Sequence, residues 1–312
     1  MEIPRRSITI AGDIGSGKTT VGTLLARKLE LEYVSTGSIQ RSIAASQGRT
    51  TLELNQSSEA DPAVDVGIDD FLRQLNLQGK ALVVESRLGW HFIPTSIKVY
   101  LYCAGEIAAR RLVAAGRPDE AYENAEIAFE KMRLRRASED KRFRRLYGVD
   151  IENLRNYDIV LDTSFVEPEG AADLLRRQLD KSMPTAWIAP PNLLPTQEIR
   201  SLDEAKIRRL TNDILTHGKA WDAGVTVFFV AGRFFVCDGH NRVAAALRCG
   251  LPVISCIVVA LDDEPFNRGI SARQYVIDAY SKSLAYDWED ANGFRFDFDV
   301  GELLPKDRRG VH

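Results

Sequence analysis

The sequence lacks any run of about 20 apolar residues, the length that a membrane-spanning helix needs. Its 312 residues include only four cysteines, and none of them has the C-x-x-C spacing of a zinc or thiol-redox site. Residues 1–6 lead into an apolar run that is too short for the core of a signal peptide. These absences favour a cytoplasmic protein with free thiols and no membrane partner.

An excess of positive charge is also missing. The chain has 41 Lys and Arg residues against 44 Asp and Glu residues, a net charge of -3. This balance gives no global reason to expect a nucleic-acid partner. Apolar residues make up 45% of the chain, which is enough for packed cores. The length predicts two domains, which we place at residues 1–182 and 183–312.

The first half alternates short apolar segments with segments of helical spacing. The predicted strands are residues 7–11, 33–36, 81–85, 97–103 and 158–162. Strands separated by helices indicate an α/β fold with a parallel sheet flanked by helices. The pattern changes near Lys181, and the proline-containing stretch 183–191 is interpreted as a linker or an irregular entry to the second domain.

The second half predicts a smaller α+β domain. An amphipathic helix carries Ile207, Leu210 and Ile214 on one face, with Gly218 as its C-terminal cap. The other predicted elements are a hairpin of strands 225–230 and 233–237, a helix at 242–249, a strand at 253–259 and one helical stretch at 272–284.

Residues 12–19, with the sequence GDIGSGKT, match the phosphate-loop motif G-x-x-x-x-G-K-[ST]. The motif lies between a predicted strand and an amphipathic helix, which disfavours a chance glycine-rich turn. Backbone amides and the helix N-terminus would bind phosphate, Lys18 would reach the β- and γ-phosphates, and the Thr19 hydroxyl would help to hold Mg²⁺. The motif therefore predicts ATP and Mg²⁺ as cofactors. The candidate ATP-binding residues are Gly12, Gly15, Ser16, Gly17, Lys18, Thr19 and Thr20.

Several later segments resemble the cytidylate kinases, which are P-loop nucleoside-monophosphate kinases. The similar segments are STGSIQR at 35–41, the acidic stretch 51–69, ESRLGW at 85–90, the arginine-rich lid with Arg135, Ser138, Glu139, Arg142 and Phe143, YGVD at 147–150, and YDIVLDTS at 157–164. The resemblance covers about the first 180 residues, in order.

This resemblance implies roles for individual residues. Acceptor binding is implied for Thr36, Gly37, Arg41, Asp69 and Arg87, catalysis for Lys18, Arg135 and Arg142, and metal binding for Thr19 and Glu85. Two positions depart from the family pattern. Gln40 stands where an aromatic residue is frequent, and Arg136 stands where an acidic residue is common. The identity of the acceptor is therefore left more open than the reaction type.

The residues themselves leave alternatives open. The basic run 131–145 is also typical of a solvated helix face or a nucleic-acid patch. Asp65 and Asp69 could contact the acceptor or lie on an exposed acidic helix.

The stretch VCDGHNRVAAALR at 236–248 joins a predicted strand to a helix. With its neighbouring elements it resembles the ParB/sulfiredoxin fold, which includes chromosome-partition CTPases, sulfiredoxins and free-serine kinases. A glycine-containing turn at a helix N-terminus predicts a phosphate site. The candidate ligand-binding residues are Asp238, Gly239, His240, Asn241 and Arg242. Cys237 precedes the turn within a strand pattern, so sulfiredoxin chemistry is not expected.

Residues 193–198 resemble the segment that supplies a catalytic glutamate in the free-serine kinases. Gln197 falls at that position, and a glutamine cannot act as a general base. Glu198, the next residue, is therefore the candidate catalytic residue, or the segment is a polar turn without a catalytic role.

These observations predict an ATP-dependent kinase acting on CMP, dCMP or a related nucleoside monophosphate. The second domain is expected to bind a nucleotide or a phosphorylated ligand. Two alternatives stay open: a bifunctional enzyme whose second domain is an amino-acid kinase, and a DNA-associated kinase recruited by the second domain. The balanced charge disfavours the latter.

Overall fold

A computed structural model of the protein describes residues 6–49, 53–54, 63–116, 122–180, 185–217, 224–266 and 269–296. The chain divides into two compact units, Met1–Pro184 and Thr185–His312. The predicted boundary at 182/183, the predicted cap Gly218 and residues 55–62 of the acidic stretch lie outside the described residues. Within the described part, no helix is long and apolar enough to cross a membrane.

The first unit contains five described strands and seven described α-helices. The strands are β1 (Ile8–Gly12), β2 (Glu32–Ser35), β3 (Leu82–Glu85), β4 (Ile97–Tyr102) and β5 (Ile159–Asp162). The helices are α1 (Lys18–Leu29), α2 (Thr36–Ser46), α3 (Ala63–Leu77), α4 (Gly89–Phe92), α5 (Gly105–Ala115), α6 (Ala125–Tyr147) and α7 (Pro168–Gln178).

The five strands pair in the order β2-β3-β1-β4-β5, and every pairing is parallel. The sheet is flanked by helices, so the predicted α/β class is confirmed. Strand β1 lies in the middle, where Ile8 pairs with Val83 on one side and with Ile97 on the other. Ile8 is fully buried, as the continuous apolar run of a central parallel strand requires.

Glycine is required at the end of β1. A Cβ atom on Gly12 would lie 2.2 Å from the carbonyl oxygen of Leu101, and its φ is +144°. Only a residue without a side chain can bring the end of β1 so close to β4. The phosphate loop therefore leaves the sheet at its centre.

The second unit contains a mixed sheet and four described α-helices. Its strands are β6 (Thr185–Ile188), β7 (Leu193–Leu194), β8 (Val225–Val230), β9 (Arg233–Asp238) and β10 (Ile254–Leu261). Its helices are α8 (Glu204–His217), α9 (His240–Arg248), α10 (Ala272–Ala279) and α11 (Lys282–Asn292). The strand order is β6-β10-β8-β9-β7, with antiparallel β6–β10 and β8–β9 pairs and parallel β10–β8 and β7–β9 pairs.

Two predictions about the second unit are wrong. The stretch interpreted as a linker or an irregular entry to the second domain contains a regular strand, β6, in which Trp187 pairs with Ser255 of β10. Prolines on both sides of this strand gave the linker signal, whereas Trp187 itself is buried. The single helical stretch at 272–284 is two helices, because the Ser281 side chain accepts a hydrogen bond from the Leu284 amide and begins α11.

Helix α11 completes the core of the second unit. Trp288 is 1% exposed, and its indole N–H donates to the carbonyl oxygen of Gln197 at 2.8 Å. Ala285 packs in the same cluster as Phe235 of β9. Helix α11 is therefore a structural part of the second unit.

Candidate active site

The phosphate loop, residues 12–19, connects β1 to α1. Helix α1 begins at Lys18, and its N-cap is Gly17, in a left-handed conformation without a side chain to cap the first amides. Those amides, together with the partial positive charge of the helix N-terminus, suit an anion. A Cβ atom on Gly15 would lie 2.8 Å from the carbonyl oxygen of Ala108, so glycine is also required where the loop passes α5.

Lys18 folds back onto the loop. Its Nζ atom donates to the carbonyl oxygens of Gly12 at 3.2 Å and Asp13 at 2.5 Å. Burial and the neighbouring positive charge of Arg87 lower the pKa of Lys18 to about 7, although Glu85 and Asp13 act in the opposite direction. A phosphate anion would reverse this shift by compensating the charge.

Glu85, at the end of β3, receives hydrogen bonds from three hydroxyl groups. Thr19 Oγ1 lies 3.1 Å from Glu85 Oε2, Ser35 Oγ donates at 2.9 Å, and Tyr33 OH donates as well. Burial raises the pKa of Glu85, but Lys18 and these hydrogen bonds outweigh it, so the net pKa is lowered. The carboxylate is therefore ionised next to the phosphate loop.

The Thr19 hydroxyl and the Glu85 carboxylate fit a magnesium ion. Mg²⁺ prefers oxygen ligands and is usually held by one or two carboxylates together with substrate phosphates and water. The described residues contain no group of three or more His, Cys, Asp or Glu that could hold a metal without such help. The two predicted metal residues are thus brought together, within 3.1 Å of each other.

One cavity of the first unit joins the phosphate loop to the predicted acceptor side. Its lining includes Gly15, Gly17, Lys18, Thr19, Thr20, Thr36, Gly37, Arg41, Glu85, Arg87 and Arg135, all of them predicted site residues. Gln40, which departs from the family pattern, also lines it. Gly12 and Ser16 do not line this cavity. They belong to the phosphate loop itself, within which Ser16 Oγ donates to the carbonyl oxygen of Asp13 at 2.8 Å.

Helix α2 contributes three predicted acceptor-binding residues, Thr36, Gly37 and Arg41, to the lining of this cavity. The helix begins at Thr36 because the Ser35 side chain accepts a hydrogen bond from the Ser38 amide at 3.3 Å. Thr36 Oγ1 donates to the carbonyl oxygen of Glu85 at 3.3 Å, which ties the helix start to β3. Arg41 follows Gly37 by one helical turn, so both residues lie on the same side of α2.

Helix α6 contributes Arg135, which forms an ion pair with the buried Glu139. Arg135 Nε lies 3.0 Å from Glu139 Oε1, and Arg87 Nε lies 2.9 Å from Glu139 Oε2. Burial would raise the pKa of Glu139, but the charges of Arg87, Arg135 and Arg142 lower it to about 2. The basic run is therefore not a purely solvated helix face.

Besides Gly12 and Ser16, two more predicted residues do not line the cavity, Arg142 and Asp69. Arg142 is 1% exposed and forms an ion pair with Asp65 of α3 at 3.2 Å. Asp69 accepts a hydrogen bond from Tyr147 OH at 2.7 Å. Both carboxylates are buried, so the exposed acidic helix that the sequence left open is wrong. These pairs instead connect α3 with α6.

The predicted second-domain residues gather at the start of α9. His240 is buried, and its Nε2 atom accepts a hydrogen bond from the Thr196 amide at 3.2 Å. Burial lowers the pKa of His240 to about 4, so its imidazole is neutral near pH 7. Gly239, with a φ of +102°, begins the helix without a side-chain cap.

The other residues of this turn are more accessible. Asp238 is exposed, Asn241 is half-buried, and Arg242 Nη1 donates to the carbonyl oxygen of Gly224 at 3.4 Å. Glu198 is also exposed, and among the described residues it pairs with Arg200 at 2.7 Å rather than with the turn. Glu198 thus pairs with Arg200, whereas His240 is hydrogen-bonded to Thr196 of the same segment.

Sequence reasoning missed the residues that support the site. Tyr33 and Ser35 bind the Glu85 carboxylate, and Tyr100 OH donates to Asp13 Oδ1 at 2.8 Å. Their sequence signal is weak, because each is a polar residue inside an otherwise ordinary strand. Tyr33 and Ser35 lie in β2 and Tyr100 lies in β4, and only the strand order shows that these residues are near the phosphate loop.

Comparison with known proteins identifies relatives of the first unit. Residues 7–165 match the model of the cytidylate kinase-like family. A cytidylate kinase of Archaeoglobus fulgidus is 31% identical over 174 residues, which cover 55% of this chain and 94% of that protein. One from Ignicoccus hospitalis is 36% identical over 174 residues, covering 55% of this chain and 98% of that protein.

A larger protein is also similar. An S-adenosylmethionine-dependent nucleotide dehydratase of Lacinutrix mariniflava is 34% identical over 189 residues, which cover 60% of this chain. The match spans only 39% of that relative's length. The family match, taken with the site geometry, shows that the chain belongs to the cytidylate kinase-like family of phosphotransferases.

Proposed function

We propose that the first unit transfers the γ-phosphoryl group of ATP to the phosphate of a nucleoside monophosphate, with CMP and dCMP as the leading acceptors. One observation carries the proposal: a single cavity is lined by Lys18 and Thr19 of the phosphate loop and by Arg41, Arg87 and Arg135 from three other segments. The names of the cytidylate kinase relatives support the choice of acceptor.

The residues of the cavity supply what phosphoryl transfer requires. This reaction needs the reacting groups to be positioned and their negative charge to be compensated, with little covalent participation by the protein. The amides of the phosphate loop and Lys18 would hold the ATP phosphates. Arg87 and Arg41 would hold the acceptor phosphate, because guanidinium groups bind phosphate oxygens in a bidentate manner. Arg135 would approach the transferred group from α6.

A Mg²⁺ ion at Thr19 and Glu85 would neutralise charge on the transferring phosphates. The protein's own part is to keep Glu85 ionised, which Lys18 and the hydroxyls of Ser35 and Tyr33 do. It also keeps the Thr19 hydroxyl next to that carboxylate.

For the second unit we propose binding of a nucleotide or another phosphorylated ligand at the turn 238–242. The uncapped start of α9 and the half-buried Arg242 support this proposal. An amino-acid kinase activity would require Glu198 to leave its ion pair with Arg200. The similarity to a protein named as a nucleotide dehydratase agrees with a nucleotide-related role for the chain.

The test is an ATP-consumption assay of the full chain with Mg²⁺. CMP, dCMP, UMP, AMP, serine and threonine are offered one at a time. We expect turnover with CMP or dCMP, and a loss of at least about 10²-fold in Lys18→Ala. The matched control is Lys28→Ala in the same helix, where Lys28 forms a surface ion pair with Glu169 at 2.9 Å. It should keep wild-type activity.

Two results would contradict the proposal. Near-normal turnover in Lys18→Ala would remove the phosphate loop from the reaction. Turnover with serine or threonine that survives Lys18→Ala but is lost in Glu198→Gln would move the activity to the second unit. Salt-sensitive binding of DNA would instead favour the DNA-associated alternative.

A further inference from the structure

Several cationic side chains line the cavity that joins the phosphate loop to the predicted acceptor side. Lys18, Arg87 and Arg135 all line it, and the positive charge of Arg87 contributes to the lowered pKa of Lys18. Like charges that line one cavity repel each other unless an anion lies among them. Before a substrate binds, the protein itself must supply that anion.

Glu85 lines the cavity beside Lys18 and compensates that charge. Glu139 is the anion that pairs with Arg87 and Arg135. Its side chain is 3% exposed, and it does not line the cavity with the cations. One carboxylate oxygen accepts from Arg87 at 2.9 Å and the other from Arg135 at 3.0 Å. Arg87 follows β3, whereas Arg135 belongs to α6, so one carboxylate joins two distant segments of the chain.

The geometry of these bonds fixes the orientation of both guanidinium groups. Glu139 binds each arginine through Nε, and a guanidinium group is planar, so holding Nε restricts the direction of the Nη atoms. Arg87 is restrained a second time, because its Nη1 donates to the carbonyl oxygen of Gly12. A buried, ionised carboxylate is well suited to this task, since the pKa of Glu139 is lowered to about 2.

We propose that Glu139 is a positioning residue for phosphoryl transfer, orienting Arg87 and Arg135 toward the substrate phosphates from behind the cavity. This inference rests on the function proposed above. It assigns Glu139 no contact with substrate. Glu139 acts on the reaction by orienting Arg87 and Arg135. Replacing Glu139 should therefore lower kcat only when both arginines are present.

Positioning and simple electrostatics predict different changes in Glu139→Gln. Removing a negative charge near a phosphate site should, by charge alone, leave ATP binding unchanged or tighten it. Losing the orientation of two arginines should lower kcat, on the order of 10²-fold for a misplacement of about 1 Å. We therefore expect a lower kcat with an unchanged or lower KM for ATP. A general structural defect would instead raise the KM for ATP together with the loss of kcat.

The experiment is a double-mutant cycle in the full chain. Glu139→Gln is measured alone and in an Arg87→Ala/Arg135→Ala background, where it should cause no further loss of kcat. Glu130→Gln is the matched control, because Glu130 pairs with Arg133 at 3.0 Å on the exposed side of the same helix. It should leave kcat unchanged. If Glu139→Gln does not fold, Glu139→Asp, which keeps the charge but shortens the side chain, enters the same cycle.

The proposal is overturned if the substituted chain keeps wild-type kcat, or if it loses the same factor of kcat in the background without the arginines. The variants are also compared in ATP hydrolysis without an acceptor. A wild-type chain that hydrolyses ATP but phosphorylates no monophosphate would refute the proposed acceptor. In that case the double-mutant cycle, measured on the rate of ATP hydrolysis, would still test the positioning role of Glu139.

Discussion

Arg136 of α6 forms an ion pair with Asp13 of the phosphate loop, 123 residues earlier in the chain. The same guanidinium group donates to Tyr100 OH at 2.6 Å and pairs with Glu152. Arg136, one of the two positions that depart from the predicted family pattern, therefore connects α6 to the phosphate loop. Asp13 also accepts from the Cys103 amide at 2.9 Å, so the loop is anchored on β4 as well.

Replacing Arg136 should loosen this connection. In Arg136→Ala, Asp13 loses its charged partner, and we expect a loss of about 1–3 kcal/mol in the free energy of unfolding. Thermal unfolding would measure this change. The matched control is Arg133→Ala, whose exposed ion pair with Glu130 should contribute at most about 1 kcal/mol. Equal effects of the two substitutions would contradict the anchoring role of Arg136.

Glu85 should control the requirement for magnesium. In Glu85→Gln the ionised oxygen beside Thr19 is lost, and we expect the Mg²⁺ concentration for half-maximal turnover to rise about 10-fold or more. A magnesium titration of ATP turnover would measure it. Glu32→Gln serves as control, because Glu32 forms an exposed ion pair with Lys80 at 2.6 Å in the same part of the sheet. An unchanged magnesium requirement in Glu85→Gln would refute the metal role.

ATP binding should take up a proton at Lys18. In the free protein the pKa of Lys18 is lowered to about 7, first by burial and then by Arg87. Bound phosphates favour the charged form and raise this pKa, so the free protein binds fewer protons than the complex above pH 7. ATP affinity should therefore decrease as pH rises from about 7 to 9. Calorimetry in buffers of different ionisation enthalpy would detect the uptake, which should disappear in Lys18→Met.

His240 should make the second unit sensitive to acid. Burial lowers the pKa of His240 from 6.5 to about 4 in the folded protein, so the unfolded chain binds more protons between these values. The contribution of His240 to stability is present above about pH 6.5 and is lost as pH falls toward 4. Melting temperatures of wild type and His240→Gln should converge on acidification. A constant difference between them across this range would show that His240 does not titrate in this way.

How far the sequence predicts the site depends on whether a feature is local. The phosphate loop is a contiguous motif between a strand and a helix, so its spacing alone places Lys18 and Thr19. The support for Asp13 is different, because Tyr100 reaches it only through the register that pairs Ala11 with Tyr100. That register depends on the pairing of two strands that are distant in the sequence, and the spacing of residues along the sequence does not predict it.

The errors have equally physical causes. The prolines on both sides of β6 are typical of a linker sequence. The strand forms nevertheless, because it pairs with β10 and buries Trp187. Resemblance to a family identified Arg142 and Asp69 as site residues, but it contains no information on which carboxylate or hydroxyl each one meets. The structure pairs them with Asp65 and Tyr147, and their participation in the reaction stays a prediction.

The place of β1 in the sheet has a consequence for the order of folding. Strand β1 precedes both of its hydrogen-bonding partners, β3 and β4, in the chain, and Ile10 pairs with Glu85 and with Val99. During synthesis from the N-terminus, the strand that carries the phosphate loop has neither neighbour until residues 82–102 have emerged. Parallel pairing over such separations is slow to form. A nascent chain should therefore form the nucleotide-binding loop late, when β3 and β4 pair with β1.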